Sequence, residues 1–198
     1  MSIVVEHDKR RREILEKALD VFIDEGFEDV TFQKLADRCG ITRTTLYIYF
    51  KNKKDIFNFS IKQLLQEVEE DITGVRKEKL SHTNKLVRVM TVIIERLEEN
   101  RRLLLVVLNY LFYIAKSDYD PDYRVRRRTV RLRHILSTML IEGIKAGEFA
   151  DINVKDAVEF LYGILESAVF RLTVLRRTGA DELRQAVVLA VQRLAAES

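Results

Sequence analysis

Between Thr31 and Lys54 the chain gathers side chains suited to holding a polyanion. Six bases (Lys34, Arg38, Arg43, Lys51, Lys53 and Lys54) stand there against one acid, Asp37. The local balance of +5 exceeds the +3 of the whole 198-residue chain. The preceding stretch, Met1 to Val30, carries nine acids against five bases. A cation excess confined to one short segment is the electrostatic footprint of a nucleic-acid contact. Hydroxyls are interleaved with it, on Thr42, Thr44, Thr45, Tyr47 and Tyr49. Arginine can take guanine edges bidentately, threonine can meet a phosphate or a thymine methyl, and a phenol can reach phosphate oxygens.

Those side chains need a rigid carrier, and the flanking residues describe one. Thr31 and Thr42 are candidate N-caps of two short helices that meet at Gly40. Ala36 stands four residues before that glycine and Leu46 six after it. The small alanine lets two helices cross closely, and glycine takes the left-handed backbone of a tight turn. Leu35, Cys39, Ile41 and Leu46 would lock the pair, leaving the second helix free to enter a major groove. Upstream, Ile14, Leu15, Ala18, Leu19, Phe22 and Ile23 recur at helical spacing over Arg11 to Glu25, closed by Gly26. Downstream, Asn52 opens a longer helix that is expected to end near Ile72, before Gly74.

The run Gly-Ile-Thr-Arg-Thr-Thr-Leu-Tyr-Ile-Tyr-Phe-Lys-Asn-Lys-Lys-Asp-Ile-Phe, Gly40 to Phe57, resembles the signature of the tetracycline-repressor (TetR) family. Ile14, Ala18, Phe22, Gly26, Phe27, Thr31 and Ala36 match it too, so the resemblance is specific over about Arg11 to Leu64. Thr44 stands where the family often has glycine, and Ile48 where it often has an aromatic. The resemblance implies a homodimer on a palindromic operator in double-stranded DNA, usually a repressor, released by a small-molecule effector. By position it implies phosphate contacts from Thr31, Thr42, Thr45, Tyr47 and Lys53. It places Arg43, Thr44 and Tyr49 nearest the base edges.

The remainder reads as helices. Leu86 to Leu97, Arg101 to Lys116 (capped by Asn100), Pro121 to Ala146, Val154 to Arg177 and Ala180 to Ala196 complete nine, with no convincing strand. The expectation is an all-α chain. A three-helix helix-turn-helix domain over 1–54 leads through a linking helix, 52–74, to a ligand-binding and dimerisation domain over 75–198. In a family member, Asn109, Tyr110, Tyr113, Met139, Tyr162, Glu166 and Phe170 are candidates to line a ligand cavity, with plain core as the alternative. The last two helices show strong apolar faces. One is Val158, Leu161, Leu165, Val169 and Leu172; the other is Leu183, Val187, Ala190, Val191 and Leu194. A single chain could bury both, whereas the family packs these helices against their two-fold mates. The proposed signal is a population shift, in which ligand favours a dimer with wrongly spaced recognition helices and the helix from Asn52 carries the link.

Other classes find little support. There is no glycine-rich phosphate loop and no metal-ligand spacing, and Ser and His are too scattered for a triad. His7, His82 and His134 lie far apart. No enzyme activity, cofactor or metal is expected. Cys39 is the single cysteine and is read as a small buried hydrophobe. The run Arg124, Arg126, Arg127, Arg128, Arg131 and Arg133 reads as a solvated face, with an entry for an anionic ligand as the sharper alternative. The charged N-terminus lacks the apolar core of a signal peptide, and Leu103 to Ala115 is too short for a bilayer. A cytoplasmic protein without membrane contact is expected. A regulator that senses no ligand or that activates, and a helical interaction scaffold, are the competing functions.

Overall fold

The computed structural model describes the backbone of residues 2–115, 122–175 and 181–196. Within these it describes all side chains but those of 2–5, 114–115 and 122–129. The described residues form helices α1 (Ser2–Glu25), α2 (Phe32–Cys39), α3 (Arg43–Tyr49), α4 (Lys53–Lys77) and α5 (His82–Glu99). They continue as α6 (Arg101–Ala115), α7 (Asp122–Lys145), α8 (Val154–Thr173) and α9 (Asp181–Leu194). The only extended pairing among them is an isolated bridge between Phe149 and Ala195.

Two compact units emerge. The first runs to Glu67 and includes Leu105–Tyr113; the second holds Val68–Leu104 and the residues from Ile114 on. In the first, α1 packs on α2 and α2 on α3. Ile14, Ala18 and Phe22 from α1, Leu35, Ala36 and Cys39 from α2, and Leu46 from α3 are all buried. The Phe22 and Phe57 rings meet edge to face with centroids 5.0 Å apart, a favoured geometry for buried aromatics. Cys39 Sγ lies 3.8 Å from the Ile14 carbonyl oxygen, and burial pushes its thiol pKa up against the lowering charges of Lys17 and Arg10.

In the second unit α5 is central, packing on α7, α8 and α9. Leu86, Val89, Met90 and Ile94 of α5 share one core with Leu136 and Leu140 of α7, Leu161 of α8 and Val187 and Val191 of α9. Gly143 has a particular role there: a Cβ at this position would sit 2.2 Å from the Phe149 ring. Gly147 turns left-handed (φ 74°) just beyond α7. The chain then returns so that Ala150 N–H donates to the Leu194 carbonyl at 3.1 Å and Ala196 N–H to that of Glu148 at 3.0 Å.

Several boundaries differ from the sequence reading. α1 begins at Ser2, well before Arg11. α4 continues through Gly74 to Lys77, because a glycine with α-region dihedrals costs a helix only about 1 kcal/mol near its end. α5 starts at His82, with the Ser81 side chain accepting from Asn84 N–H at 3.2 Å. Asn100 stands at both helix ends: its side chain donates to the Arg96 carbonyl at 2.9 Å to close α5, and its carbonyl accepts from Leu104 N–H at 3.0 Å as α6 begins, where the sequence places a cap. α8 ends at Thr173.

Candidate nucleic-acid interface

The turn between α2 and α3 is built as its residue types demand. Gly40 is left-handed (φ 68°), and its N–H and that of Ile41 close on the carbonyls of Asp37 and Ala36, at 3.1 Å each. Thr31 Oγ1 accepts from Lys34 N–H at 3.2 Å and Thr42 Oγ1 from Thr45 N–H at 3.0 Å, satisfying donors that helix starts leave open. Leu46 is fully buried and Phe50 nearly so, which pins α3 by one face.

The other face of α3 is open. Thr42, Arg43 and Thr44 are exposed, Thr45 and Tyr49 half-buried. Tyr47 is 50% exposed and Ile48 69%. Arg43 Nη2 donates to the Tyr47 hydroxyl at 3.2 Å, and the Tyr47 ring lies against Phe32 at 4.5 Å. Tyr49 stacks on His7 of α1 at 4.6 Å, which brings the start of α1 beside the end of α3. Nothing in the spacing of the sequence marks His7 as belonging to this edge. Ile48, a departure from the family pattern, is exposed enough for its apolar side chain to meet thymine methyls.

The basic cluster is less available than its count implies. Lys34 pairs with Glu25 at 2.6 Å and Arg38 with Asp24 at 3.6 Å, both carboxylates of α1. Lys53 is taken up most completely. Its ammonium donates to the carbonyls of Phe27 (2.9 Å), Glu28 (2.8 Å) and Val30 (2.9 Å). It also lies 4.8 Å from the centre of the Phe27 ring. Desolvation lowers its pKa, opposed by Asp29 and Glu28. An ammonium has three protons, so the phosphate contact expected of this side chain has no donor left to make it.

The candidate ligand residues are divided between the two units. Asn109, Tyr110 and Tyr113 belong to the first unit and Met139, Tyr162, Glu166 and Phe170 to the second. Tyr110 is 7% exposed, with its ring 4.5 Å from Phe27 and 4.9 Å from Phe57. It completes the aromatic core around α1 and α4. Tyr113 is half exposed, and Asn109 and Glu166 are exposed. Tyr162 lies under the Arg133 guanidinium at 4.1 Å. Phe170 is 53% exposed. Met139 alone of the set borders a cleft of about 350 Å³, with Arg76, Lys77, His82, Lys85 and Glu142. Arg76 and Glu142 pair across it at 3.1 Å. The side chains of Arg124, Arg126, Arg127 and Arg128 lie outside the described residues. Arg131 and Arg133 pair with Glu69 and Glu159 at 3.0 and 2.8 Å.

The expected dimer face needs correction. Val158, Leu161, Leu165, Leu183, Val187, Ala190 and Val191 are buried inside the second unit, and Val169 and Leu194 are half-buried. These stripes pack against their own chain because they are the more apolar faces of α8 and α9. A second stripe of α8 stays exposed, Phe160, Gly163, Ser167 and Phe170, and continues in Val174 just beyond the helix. Val188 and Leu189 of α9 are exposed as well.

A family model described as "Bacterial regulatory proteins, tetR family" matches residues 14–58, the segment from α1 through α3 into α4. Over that segment the chain matches the TetR family of bacterial regulatory proteins. The chain is 27% identical over 162 residues to the fatty acid metabolism regulator protein of Bacillus subtilis (strain 168), covering 79% of this chain and 80% of that protein. Among solved structures, a TetR transcription regulator from Haloarcula marismortui ATCC 43049 aligns with a TM-score of 0.84. The two are 21% identical, and the match covers 96% of this chain and all of that one. The Bacillus subtilis regulator FadR in complex with stearoyl-CoA aligns with a TM-score of 0.73 at 21% identity, over 91% of this chain and 96% of that one. The described residues therefore have the all-α TetR-like fold. None of the described helices is long and apolar enough to cross a membrane.

Proposed function

We propose that this regulator represses transcription as a homodimer on a two-fold symmetric operator and is released by a fatty acyl-CoA. The observation that carries the DNA half is α3 itself. One face is pinned by Leu46 and Phe50, while the other presents Thr42, Arg43, Thr44, Tyr47 and Ile48 to solvent. Arg43 and Thr44 read base edges; Thr31, Thr42, Thr45 and the Tyr47 hydroxyl hold phosphates. Tyr49, half-buried against His7, contributes its hydroxyl at the groove's rim. The exposed α8 and α9 stripe around Phe170 and Leu189 supplies the two-fold interface, since apolar side chains in a row on one helix face are a docking surface.

The effector reading rests on the similarity to a fatty acid metabolism regulator and to the structure of FadR in complex with stearoyl-CoA, both of Bacillus subtilis. The cleft beside Met139 supports it, because Arg76, Lys77 and Lys85 outnumber Glu142 there and favour an anionic group. Release demands that the effector bind the DNA-incompetent dimer more tightly than the competent one.

Selection of bound sequences from random duplex DNA tests the proposal. A palindrome is expected, lost with Arg43→Ala, and stearoyl-CoA is expected to weaken its binding while free CoA and stearate do not. An enriched but asymmetric site would refute the dimeric reading, and indifference to stearoyl-CoA would refute the effector.

A further inference from the structure

Lys53 sits where the loop after α1 meets the turn after α3. Three carbonyls, of Phe27, Glu28 and Val30, converge on its ammonium at 2.8–2.9 Å. Carbonyls pointing at one centre repel each other unless a cation fills it, and here the chain supplies its own. The loop is short and sharply bent, leaving α1 through left-handed Gly26 (φ 81°). Val30 immediately precedes Thr31, the cap of α2. Lys53 itself follows Phe50, the last anchor of α3, by three residues. The ammonium therefore ties both ends of the α2–α3 pair to one point.

We infer that Lys53 is a positioning residue for DNA recognition, a bound internal cation that fixes α3 and Thr31 relative to each other, and not a phosphate contact. The inference rests on the DNA-binding reading of α3. Its distinguishing consequence is in salt dependence. A side chain that neutralises a phosphate releases counterions, so its loss flattens the plot of log K against log salt by about 0.9 for each contact. Losing a positioning cation lowers sequence-specific affinity and leaves that slope as it was.

The test compares Lys53→Met and Arg43→Ala with the wild type, on the selected duplex and on a random-sequence duplex, between low and moderate salt. For Lys53→Met we expect specific affinity to fall by about tenfold or more. The salt slope should be unchanged, and binding to random duplex should barely move. A residue that only stabilised the fold would move both affinities together or neither. A slope flattened by about 0.9 per lost contact would overturn the inference and restore the phosphate role. A readout on the unsubstituted protein covers the case where Lys53→Met does not fold. A slowly exchanging lysine ammonium signal, present without DNA and unshifted on adding it, is expected in nitrogen-15 spectra. A signal that appears only with DNA would equally overturn it.

Discussion

Replacing Tyr110 by alanine separates two roles that one residue could hold. As a ligand residue, Tyr110 would matter to the effector and little to the fold. The structure instead puts its ring in contact with Phe27 and Phe57, with centroids 4.5 and 4.9 Å away and 7% of its surface exposed. Truncating a buried aromatic to alanine costs about 3–5 kcal/mol, from lost transfer free energy and the cavity left behind. Phe27 and Phe57 would each lose a ring partner, which accounts for about 0.5–1.5 kcal/mol per pair within that range. Hydrogen exchange followed by mass spectrometry gives the local reading. Peptides from α1, α2 and α3 should lose protection by about a hundredfold or more. Peptides from α8 and α9 should keep theirs. Tyr110→Phe retains the rings and should retain most of the protection. Unchanged exchange in α1–α3, with effector response lost in Tyr110→Ala, would refute the assignment of this ring to the core of the DNA-binding unit.

Gly143→Ala should lower stability by about 1–3 kcal/mol in urea unfolding, since the added methyl meets the Phe149 ring at 2.2 Å. Gly74→Ala, in a helix with open space around it, should instead gain up to about 1 kcal/mol. Phe170→Asp should leave the helical circular dichroism intact and convert dimers to monomers in sedimentation; persistent dimers would remove the α8 stripe from the interface. Glu148 should make stability depend on pH. Desolvation raises its pKa, but hydrogen bonds from the Thr83 and His82 backbone outweigh that and hold it below the ordinary 4.5. A depressed carboxylate stabilises the fold fully above its unfolded pKa and loses that contribution as pH falls through the folded value. Glu148→Gln should therefore flatten the stability profile in that acidic window, as read by thermal unfolding across pH.

The helix-turn-helix was legible because its determinants are local. Gly40, the caps Thr31 and Thr42, and buried Leu46 lie within a few residues of what they control, so spacing alone reveals them. The charge count misled because charge partners are remote in sequence. Glu25 and Asp24 neutralise Lys34 and Arg38 across the α1–α2 packing, and the Lys53 ammonium reaches carbonyls 23–26 residues back. The stretch from Thr31 to Lys54 begins after Asp24 and Glu25, so counting its charge leaves out the acids that pair with two of its bases. The α8 and α9 stripes expected at a dimer face are mostly buried in the chain's own core, for a related reason. α8 carries two apolar stripes, and hydrophobicity identifies the stronger one, which the chain's own core claims first. The weaker stripe, with Phe160 and Phe170, becomes visible only once the stronger is seen to be buried. Tyr110 shows the same limit: periodicity places it on a face of α6, but not which helices that face meets.

The buried position of Cys39 makes the chain a ready host for spectroscopy. It is the single cysteine, lies in the α1–α2 core, and has a thiol pKa raised by burial, so a maleimide or methanethiosulfonate reagent finds little thiolate there. A label can then be directed to one chosen surface site without first removing a native cysteine. Gln33→Cys, on the exposed side of α2, would carry a nitroxide close to the recognition helix. Two such labels in the proposed dimer form one spin pair, whose distance distribution with DNA, with stearoyl-CoA and with neither would report the separation of the two reading heads as a length.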